Sequence, residues 1–166
     1  MCYRFFALII YLHCKNMNMK FITIVKSFNQ LSPTELYKIL RLRNEVFVVE
    51  QNCPYQDADN KDLKCRHLML LKDDELMAYA RLVPPGLSFP QMSIGRVVTS
   101  PKARGTGAGR MLMNIAIEQC QQIFGEGSIQ IGAQAYLTKF YSSLGFKQVS
   151  EVYDEDGIPH IDMIRE

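Results

Sequence analysis

The chain of 166 residues is long enough for one domain with a full hydrophobic core. Its 48% hydrophobic and 22% charged residues are typical of an ordinary soluble globular protein, with no membrane partner expected. A net charge of +2, with no run of lysine and arginine, argues against a nucleic-acid partner. The five cysteines are odd in number and scattered without ligand spacing, which predicts a reducing, cytoplasmic location and no metal site.

The N-terminal stretch differs from the rest of the chain. Its apolar run, from Phe5 to Leu12, is too short to span a bilayer and is not followed by a small-residue cleavage site. Because Met17 and Met19 lie just before the first convincing strand, residues 1–19 are interpreted as a non-native or disordered extension. Residues 20–166 are then a single domain. A weak membrane-proximal anchor is the alternative interpretation of the extension.

The first elements of the domain are a strand and a helix. β-branched and aromatic residues predict a strand over residues 20–28. Ser32, followed by Pro and three residues later by Glu, starts a helix whose apolar spacing runs from Thr34 to about Val49. Arg41 and Arg43 are expected on the solvated surface of this helix.

The segment over residues 50–62 is polar, contains Pro and has no apolar period, so it is predicted to be a loop. Its acidic residues and one tyrosine have two interpretations of equal weight. They form the mouth of a site that receives a cationic amine, or they belong to an ordinary acidic surface loop. The residues concerned are Glu50, Tyr55, Asp57, Asp59 and Asp62.

Three strands are predicted next. Residues 67–71 and 75–83 are joined by a short polar turn and predict a hairpin, and residues 92–99 form the following strand. His67 is expected to be a strand residue with a satisfied hydrogen bond rather than a catalytic base.

The stretch that follows the third strand predicts a loop broken at Pro101, a glycine-rich turn and a helix from Arg110 to Phe124. Glycines allow successive main-chain N–H groups to converge on one point, and a helix N-terminus adds partial positive charge. An anion is therefore expected at residues 104–110. A glycine-rich turn without a ligand is the alternative.

The glycine spacing decides between three anion-binding patterns. The P-loop pattern fails because no Gly is followed by Lys and then Ser or Thr, and the dinucleotide pattern fails because Arg110 stands at its third Gly. The pattern that fits is Arg-x-x-Gly-x-Gly, formed by Arg104, Gly107 and Gly109.

The C-terminal part begins with a predicted strand over residues 128–133. A short helix follows and is closed by Gly145 in a left-handed conformation, with Phe146 placed for the accompanying apolar contact. Residues 147–153 and 159–164 then form a hairpin.

The Arg-x-x-Gly-x-Gly pattern behind a strand resembles the acyl-CoA pyrophosphate loop of the GNAT superfamily of N-acetyltransferases. The sequence Phe-Tyr-x-x-x-Gly-Phe at residues 140–146 is the second family-like feature, in the expected order. Segments 48–57, 132–135 and 156–160 further resemble the ElaA-like subfamily, so that the resemblance covers about residues 20–166.

This resemblance implies an α/β (α+β) fold, the GNAT acyl-CoA N-acyltransferase fold, with a central mixed, mostly antiparallel sheet flanked by helices. The predicted order β-α-β-β-β-α-β-α-β-β matches that fold if a second short helix is lost in the loop after residue 50. The implied activity is transfer of an acetyl group from acetyl-CoA to a primary amine by direct attack in a ternary complex.

The resemblance also implies where the co-substrate binds. Main-chain groups of the glycine loop would hold the pyrophosphate, and the strand edge near Val98 would bind pantetheine and polarise the thioester carbonyl. The expected cofactor-binding residues are Val97, Val98, Arg104, Gly105, Thr106, Gly107, Ala108, Gly109 and Arg110.

Two protons must move in this reaction. Tyr141 matches the family's general-acid position, beside the alternative of a packed core tyrosine. Glu50 is the candidate general base, with His160 in reserve. The acceptor would be a small-molecule or peptide amine, and the protein a monomer or homodimer. A catalytically silent acyl-CoA sensor and a nucleotide-binding module are the rival functions.

Overall fold

The structure is a computed structural model and describes residues 8–10 and 21–166. Within them, nine strands form one mixed sheet in the order β1-β2-β3-β4-β5-β6-β9-β7, with β8 also paired to β9. Every pairing is antiparallel except that of β5 with β6. The strands are β1 Leu8–Ile10, β2 Ile22–Ser27, β3 Arg66–Lys72, β4 Glu75–Val83, β5 Met92–Thr99, β6 Ile129–Gln134, β7 Lys147–Gln148, β8 Tyr153–Glu155 and β9 Ile158–Arg165.

The N-terminal stretch is described only at β1, which pairs antiparallel with β2 at the edge of the sheet. Residues 1–7 and 11–20 lie outside the described residues. The interpretation of residues 1–19 as an extension therefore stays a prediction.

Three α-helices accompany the sheet in the described residues: α1 Pro33–Arg43, α2 Ala108–Phe124 and α3 Thr138–Ser142. The predicted start of α1 is confirmed, because Ser32 Oγ accepts from Glu35 N at 3.2 Å while Glu35 Oε2 accepts from Ser32 N at 2.8 Å. None of the helices in the described residues is long and apolar enough to cross a membrane.

The predicted first helix continues past α1 in a different winding. Residues Asn44–Glu50 form a π-helix, a wider turn with i→i+5 hydrogen bonds that is often found at functional sites. Gln51 N, for example, donates to Val46 O at 3.1 Å. The helical character of this stretch is thus confirmed, but its geometry is not the one that apolar spacing predicts.

The two long helices pack on opposite faces of the sheet. Alternate residues of β4 separate the two cores, since Ala78 and Ala80 join the cluster beneath α2 while Tyr79 joins the cluster beneath α1. α2 contributes Leu112 and Ala116 to its cluster, both fully buried. The result is three layers, with the sheet between the helices.

Two tight turns close the predicted hairpins. Asp73 and Asp74 between β3 and β4 have φ values of 49° and 60°, and Asp156 and Gly157 between β8 and β9 have 54° and 81°. Two consecutive positive φ values match the right-handed twist of a two-residue hairpin. The first predicted hairpin is confirmed. In the second, the predicted strand over residues 147–153 is divided into β7 and β8, which pair separately with β9.

Candidate active site

A cleft of about 900 Å³ opens where β5 and β6 separate. These parallel strands pair at only two positions, Met92 with Ile129 and Ser93 with Gln130. Past them, the edge of β5 that faces away from β4 lines the cleft from Gly95 to Thr99. Main-chain groups on this edge are left available for a ligand, as at any exposed strand edge.

A β-bulge reshapes β5 at the cleft. The pairing of β4 with β5 changes register between Tyr79 and Arg81, and Arg96 opposite this shift has a φ of 49°. A bulge of this kind bends the strand and redirects the side chains around it. Here it precedes Val97 and Val98, the strand residues predicted to meet the thioester.

The glycine loop, residues 104–110, borders the same cleft. Gly105 and Gly107 have φ values of 73° and 85°, which a side chain rarely tolerates, and α2 begins at Ala108, two residues before the predicted start. A Cβ added at Gly109 would lie 3.3 Å from Thr99 Oγ1, so glycine lets the helix begin close against β5.

The start of α2 presents free N–H donors. Its first helical hydrogen bond runs from Met111 N to Gly107 O at 3.0 Å, which leaves the N–H groups of Ala108, Gly109 and Arg110 without an acceptor inside the helix. Together with the positive end of the helix dipole, they form a cradle that fits a diphosphate.

The structure brings the predicted cofactor-binding residues together with one exception. Those that line the cleft are Val97, Val98, Arg104, Gly105, Gly107, Ala108, Gly109 and Arg110. Thr106 instead donates through Oγ1 to Ala103 O at 2.6 Å, which stabilises the loop from behind.

Glu50 and Arg104 are bound to each other at this cleft. Arg104 Nη1 and Nη2 donate to the two carboxylate oxygens of Glu50 at 2.7 and 2.8 Å. Hydrogen bonds from Arg104 lower the pKa of Glu50. In this arrangement the predicted base is a weakened proton acceptor, and the predicted phosphate ligand already has an anionic partner.

Tyr141 lies on α3 with 6% of its surface exposed and lines the cleft. Its ring packs edge-on against Phe140 and Phe146, with centroids 5.1 and 6.0 Å apart. Burial raises the pKa of Tyr141 to about 12, so its hydroxyl stays protonated and is available as a donor. The predicted cap behind it is confirmed, since Gly145 has a φ of 89° and Phe146 is buried.

His160 lies on β9 and also lines the cleft. Its Nδ1 is 2.8 Å from Ile158 O, an acceptor, so Nδ1 carries a proton, and Nε2 is the ring nitrogen that can act as an acceptor. The ring stacks on Tyr153 with centroids 6.1 Å apart. The hydrogen bond to the main chain thus selects which ring nitrogen of His160 can accept a proton.

The carboxylates of the acidic loop belong to a charged network that was not predicted. Arg43 is fully buried, which shows that its predicted place on a solvated surface is wrong. Its Nε donates to Asp57 Oδ2 at 2.8 Å, and its Nη1 donates to both oxygens of Asp62 at 3.0 and 2.9 Å. Arg41, two positions earlier, is exposed as predicted.

Two strand arginines complete this network. Arg81 donates to Asp59 at 2.7 and 2.8 Å and to Asp62 at 3.1 Å. Arg96, at the bulge, donates to Asp57 Oδ1 at 2.8 Å. We call these six residues the charged network: Arg43, Asp57, Asp59, Asp62, Arg81 and Arg96.

The three aspartates are paired with three arginines and are therefore not the ordinary surface charges of the second interpretation. Asp59 and Tyr55 do line the cleft, so the first interpretation, a mouth for a cationic amine, stays a prediction, with the charge of the aspartates balanced by the arginines. Tyr55, in the same loop, donates to Asp57 Oδ1 at 3.0 Å. One signal was present in the sequence: Arg81 stands between apolar residues of a strand, where a charge requires a partner.

His67 lies below this network and confirms its predicted role. It is buried, with Nδ1 2.8 Å from Tyr79 Oη and Nε2 3.1 Å from Asp62 O. Burial lowers the pKa of His67, which favours its neutral form. Within residues 21–166, no group of three or more His, Cys, Asp and Glu side chains is arranged to hold a metal ion.

Comparisons with known proteins agree with this architecture. Residues 32–166 match the family model of the acetyltransferase (GNAT) domain. Protein ElaA of Escherichia coli is 49% identical over 140 residues, which cover 83% of this chain and 92% of ElaA.

Two solved structures have the same fold. The crystal structure of Escherichia coli ElaA superposes with a TM-score of 0.81 at 46% identity, over 87% of this chain and 98% of that one. An acyl-CoA N-acyltransferase from Pseudomonas aeruginosa gives 0.83 at 45% identity, with the same coverage. These structures confirm the predicted fold. The chain therefore belongs to the GNAT family of CoA-dependent acyltransferases, in its ElaA-like branch.

Proposed function

We propose that this protein is an N-acetyltransferase that moves an acetyl group from acetyl-CoA to a primary amine by direct attack in a ternary complex. The observation that carries this proposal is the position of the glycine loop directly after the free edge of β5. Free N–H donors for a diphosphate and a strand edge for a pantetheine amide chain thus border one cleft. The acyl-CoA N-acyltransferase of Pseudomonas aeruginosa, with a similar fold, supports the acyl-transfer class.

Different main-chain groups bind different parts of acetyl-CoA. The N–H groups of Ala108, Gly109 and Arg110 bind the diphosphate, and the main chain of Val97 and Val98 binds the pantetheine amides. A main-chain N–H near Val98 polarises the thioester carbonyl and stabilises the oxyanion that develops as the amine attacks. Acetyl-CoA supplies the activated acyl group.

Proton transfer involves three side chains. An alkylammonium has a pKa of about 10.4, so the attacking amine must lose a proton, and His160 Nε2 and the Glu50 carboxylate are the acceptors in the cleft. Tyr141 donates a hydrogen bond to the departing thiolate. Because burial holds the pKa of Tyr141 at about 12, well above that of a thiol at about 8.5, the hydroxyl stabilises the sulfur chiefly as a donor.

The acceptor is a small-molecule or peptide amine. The charged network neutralises three aspartates of the acidic loop, so this loop does not favour a polycationic acceptor. The free, buried thiols of Cys53, Cys65 and Cys120 suit a reducing compartment, and we propose a cytoplasmic location on this basis.

The experiment is a coenzyme-A release assay with acetyl-CoA and a panel of primary amines, paired with titration calorimetry of coenzyme A. We expect binding and amine-dependent release of thiol. Binding without release on any amine would favour a silent acyl-CoA sensor. Absence of binding would overturn the proposal, and tighter binding of ATP or NAD would favour a nucleotide-binding module.

A further inference from the structure

The pair of Glu50 and Arg104 joins two separate parts of the cleft. Glu50 is the last residue of the π-helical segment, and Arg104 follows the turn that leads from β5 into the glycine loop. Both carboxylate oxygens are engaged by the guanidinium, at 2.7 and 2.8 Å. The contact spans 54 positions of sequence and has both partners in the lining of the cleft.

This pair is exposed and therefore weak. The side chains of Arg104 and Glu50 keep 45% and 42% of their surface accessible. Ion pairs with this exposure contribute little to folding, because water and salt screen them. An exchange of partner at Arg104 thus costs the fold almost nothing, in contrast to an exchange in the charged network.

The partner that would replace Glu50 is the diphosphate. Arg104 directly precedes Gly105 and the N–H cradle at the start of α2, and guanidinium groups bind phosphate in the same bidentate way as carboxylate. Arg110, the other cation of this loop, pairs with no carboxylate of the described residues. It donates to Ser143 Oγ at 2.8 Å and lies 5.7 Å from the centroid of the Phe140 ring. Within the loop, only Arg104 is paired with a carboxylate that would compete with a diphosphate.

Glu50 also opposes the diphosphate directly. Its carboxylate lines the same cleft, and two anions that share one guanidinium repel each other. Binding of the diphosphate at Arg104 is therefore opposed for as long as Glu50 holds both Nη groups.

We propose that Glu50 competes with the diphosphate of coenzyme A for Arg104, so that binding of the acyl donor releases the Glu50 carboxylate into the cleft. The inference rests on the proposed function. It makes Glu50 a determinant of donor affinity and links occupation of the donor site to a free carboxylate beside the acceptor. In this arrangement, binding of the acyl donor is the step that makes the Glu50 carboxylate available in the cleft.

The test is titration calorimetry of coenzyme A on the full chain and on variants. Glu50→Gln removes the competing anion, and we expect coenzyme A to bind about two- to fivefold more tightly at low salt, as suits the loss of an exposed pair. The gain should shrink as salt is raised, because screening already weakens the pair. Glu50→Asp keeps the charge and should stay near the wild-type affinity.

The matched control is the pair of Glu75 and Lys102, an exposed carboxylate and lysine next to the same loop but outside the cleft lining. Glu75→Gln removes the same charge and should leave coenzyme A affinity unchanged. In Arg104→Gln, which itself weakens binding, the added Glu50→Gln change should give a smaller gain than in the wild type.

The outcomes separate the two proposals. If the wild type does not bind coenzyme A, the proposed function fails. If the wild type binds and Glu50→Gln binds equally or more weakly, Glu50 is a structural support of the loop and this inference alone is wrong. A thermal unfolding curve on each variant establishes that it is folded. Should Glu50→Gln not fold, Glu50→Ser is titrated against the same criteria.

Discussion

The glycine loop and the charged network border the same cleft but are held by opposite kinds of interaction. The loop is shaped by main-chain conformation: positive φ values at Gly105 and Gly107, and free N–H groups at the start of α2. The network is held by ion pairs between side chains, of which Arg43, Asp62 and Arg81 are buried. We therefore propose that the loop binds the ligand and that the network holds its own border of the cleft in place. Substitutions in the loop should therefore change affinity, and substitutions in the network should change stability.

The largest effect is expected from breaking the network. Arg43→Met keeps the length of the side chain but leaves Asp57 and Asp62 buried without one of their cations, which typically costs about 3–5 kcal/mol of unfolding free energy. Urea unfolding measures this. The control is Arg41→Met on the same helix, exposed in the structure, with an expected change within about 0.5 kcal/mol. Equal effects of the two substitutions would contradict the comparison.

The second-largest effect is expected from a substitution in the glycine loop. Gly107→Val places a β-branched residue at a φ of 85° beside the N–H cradle, and we expect coenzyme A affinity to fall by at least about 100-fold. Gly125→Val is the control, because Gly125 has a φ of 94° at the other end of α2 and lies outside the cleft lining. It should cost stability without a loss of affinity. Calorimetry on both variants decides whether the loop binds or only folds.

A third substitution tests a side chain that belongs to neither border. Tyr141→Phe removes only the hydroxyl, and we expect turnover to fall about 10- to 100-fold with little change in coenzyme A affinity, as for loss of a hydrogen-bond donor to the leaving group. Tyr136→Phe, at an exposed cleft tyrosine, should stay within about twofold. A turnover that Tyr141→Phe leaves intact over the accessible pH range would make Tyr141 a packing residue.

The smallest effect is the response of the network to acid. Burial raises the pKa of Asp59, but the hydrogen bonds and charge of Arg81 outweigh it and hold that pKa at about 2. The folded pKa is below the unfolded value of about 3.9, so this contribution is present above pH 4 and is lost as the pH falls towards 2. Because solvent screens this partly exposed carboxylate, we expect the unfolding free energy to decrease by about 1 kcal/mol over that interval.

The sign of this effect is checked with variants. Asp59→Asn should be less stable at neutral pH and should show a flatter acid curve than the wild type. Asp74→Asn is the matched control: its carboxylate pairs with Lys38 but is 89% exposed, and its curve should follow the wild type. An acid response that Asp59→Asn leaves unchanged would place the sensitivity elsewhere.

Features that depend on neighbouring residues could be derived from the sequence. The strand, glycine loop and helix over residues 92–124, the capping box at Ser32 and the cap at Gly145 follow from local conformational preferences. The order of the elements and the two family-like motifs led to the GNAT fold. The cleft position of most of the predicted donor-binding residues followed from the same motif.

The tertiary structure alone decided which charges pair. Arg41 and Arg43 lie on opposite faces of α1, and Arg43 shares the buried face of Ile39 four positions earlier. Asp57 and Asp62 of a distant loop fold over Arg43 and supply the carboxylates that its burial requires. The contact of Glu50 with Arg104 likewise joins residues 54 positions apart. An ion pair between residues far apart in the sequence produces no periodic pattern in either segment. How deeply the fold buries the pair then determines whether its partners are fixed. The sequence therefore determined the conformation of the glycine loop, and only the fold determined which charges are paired in buried positions and which in exposed ones.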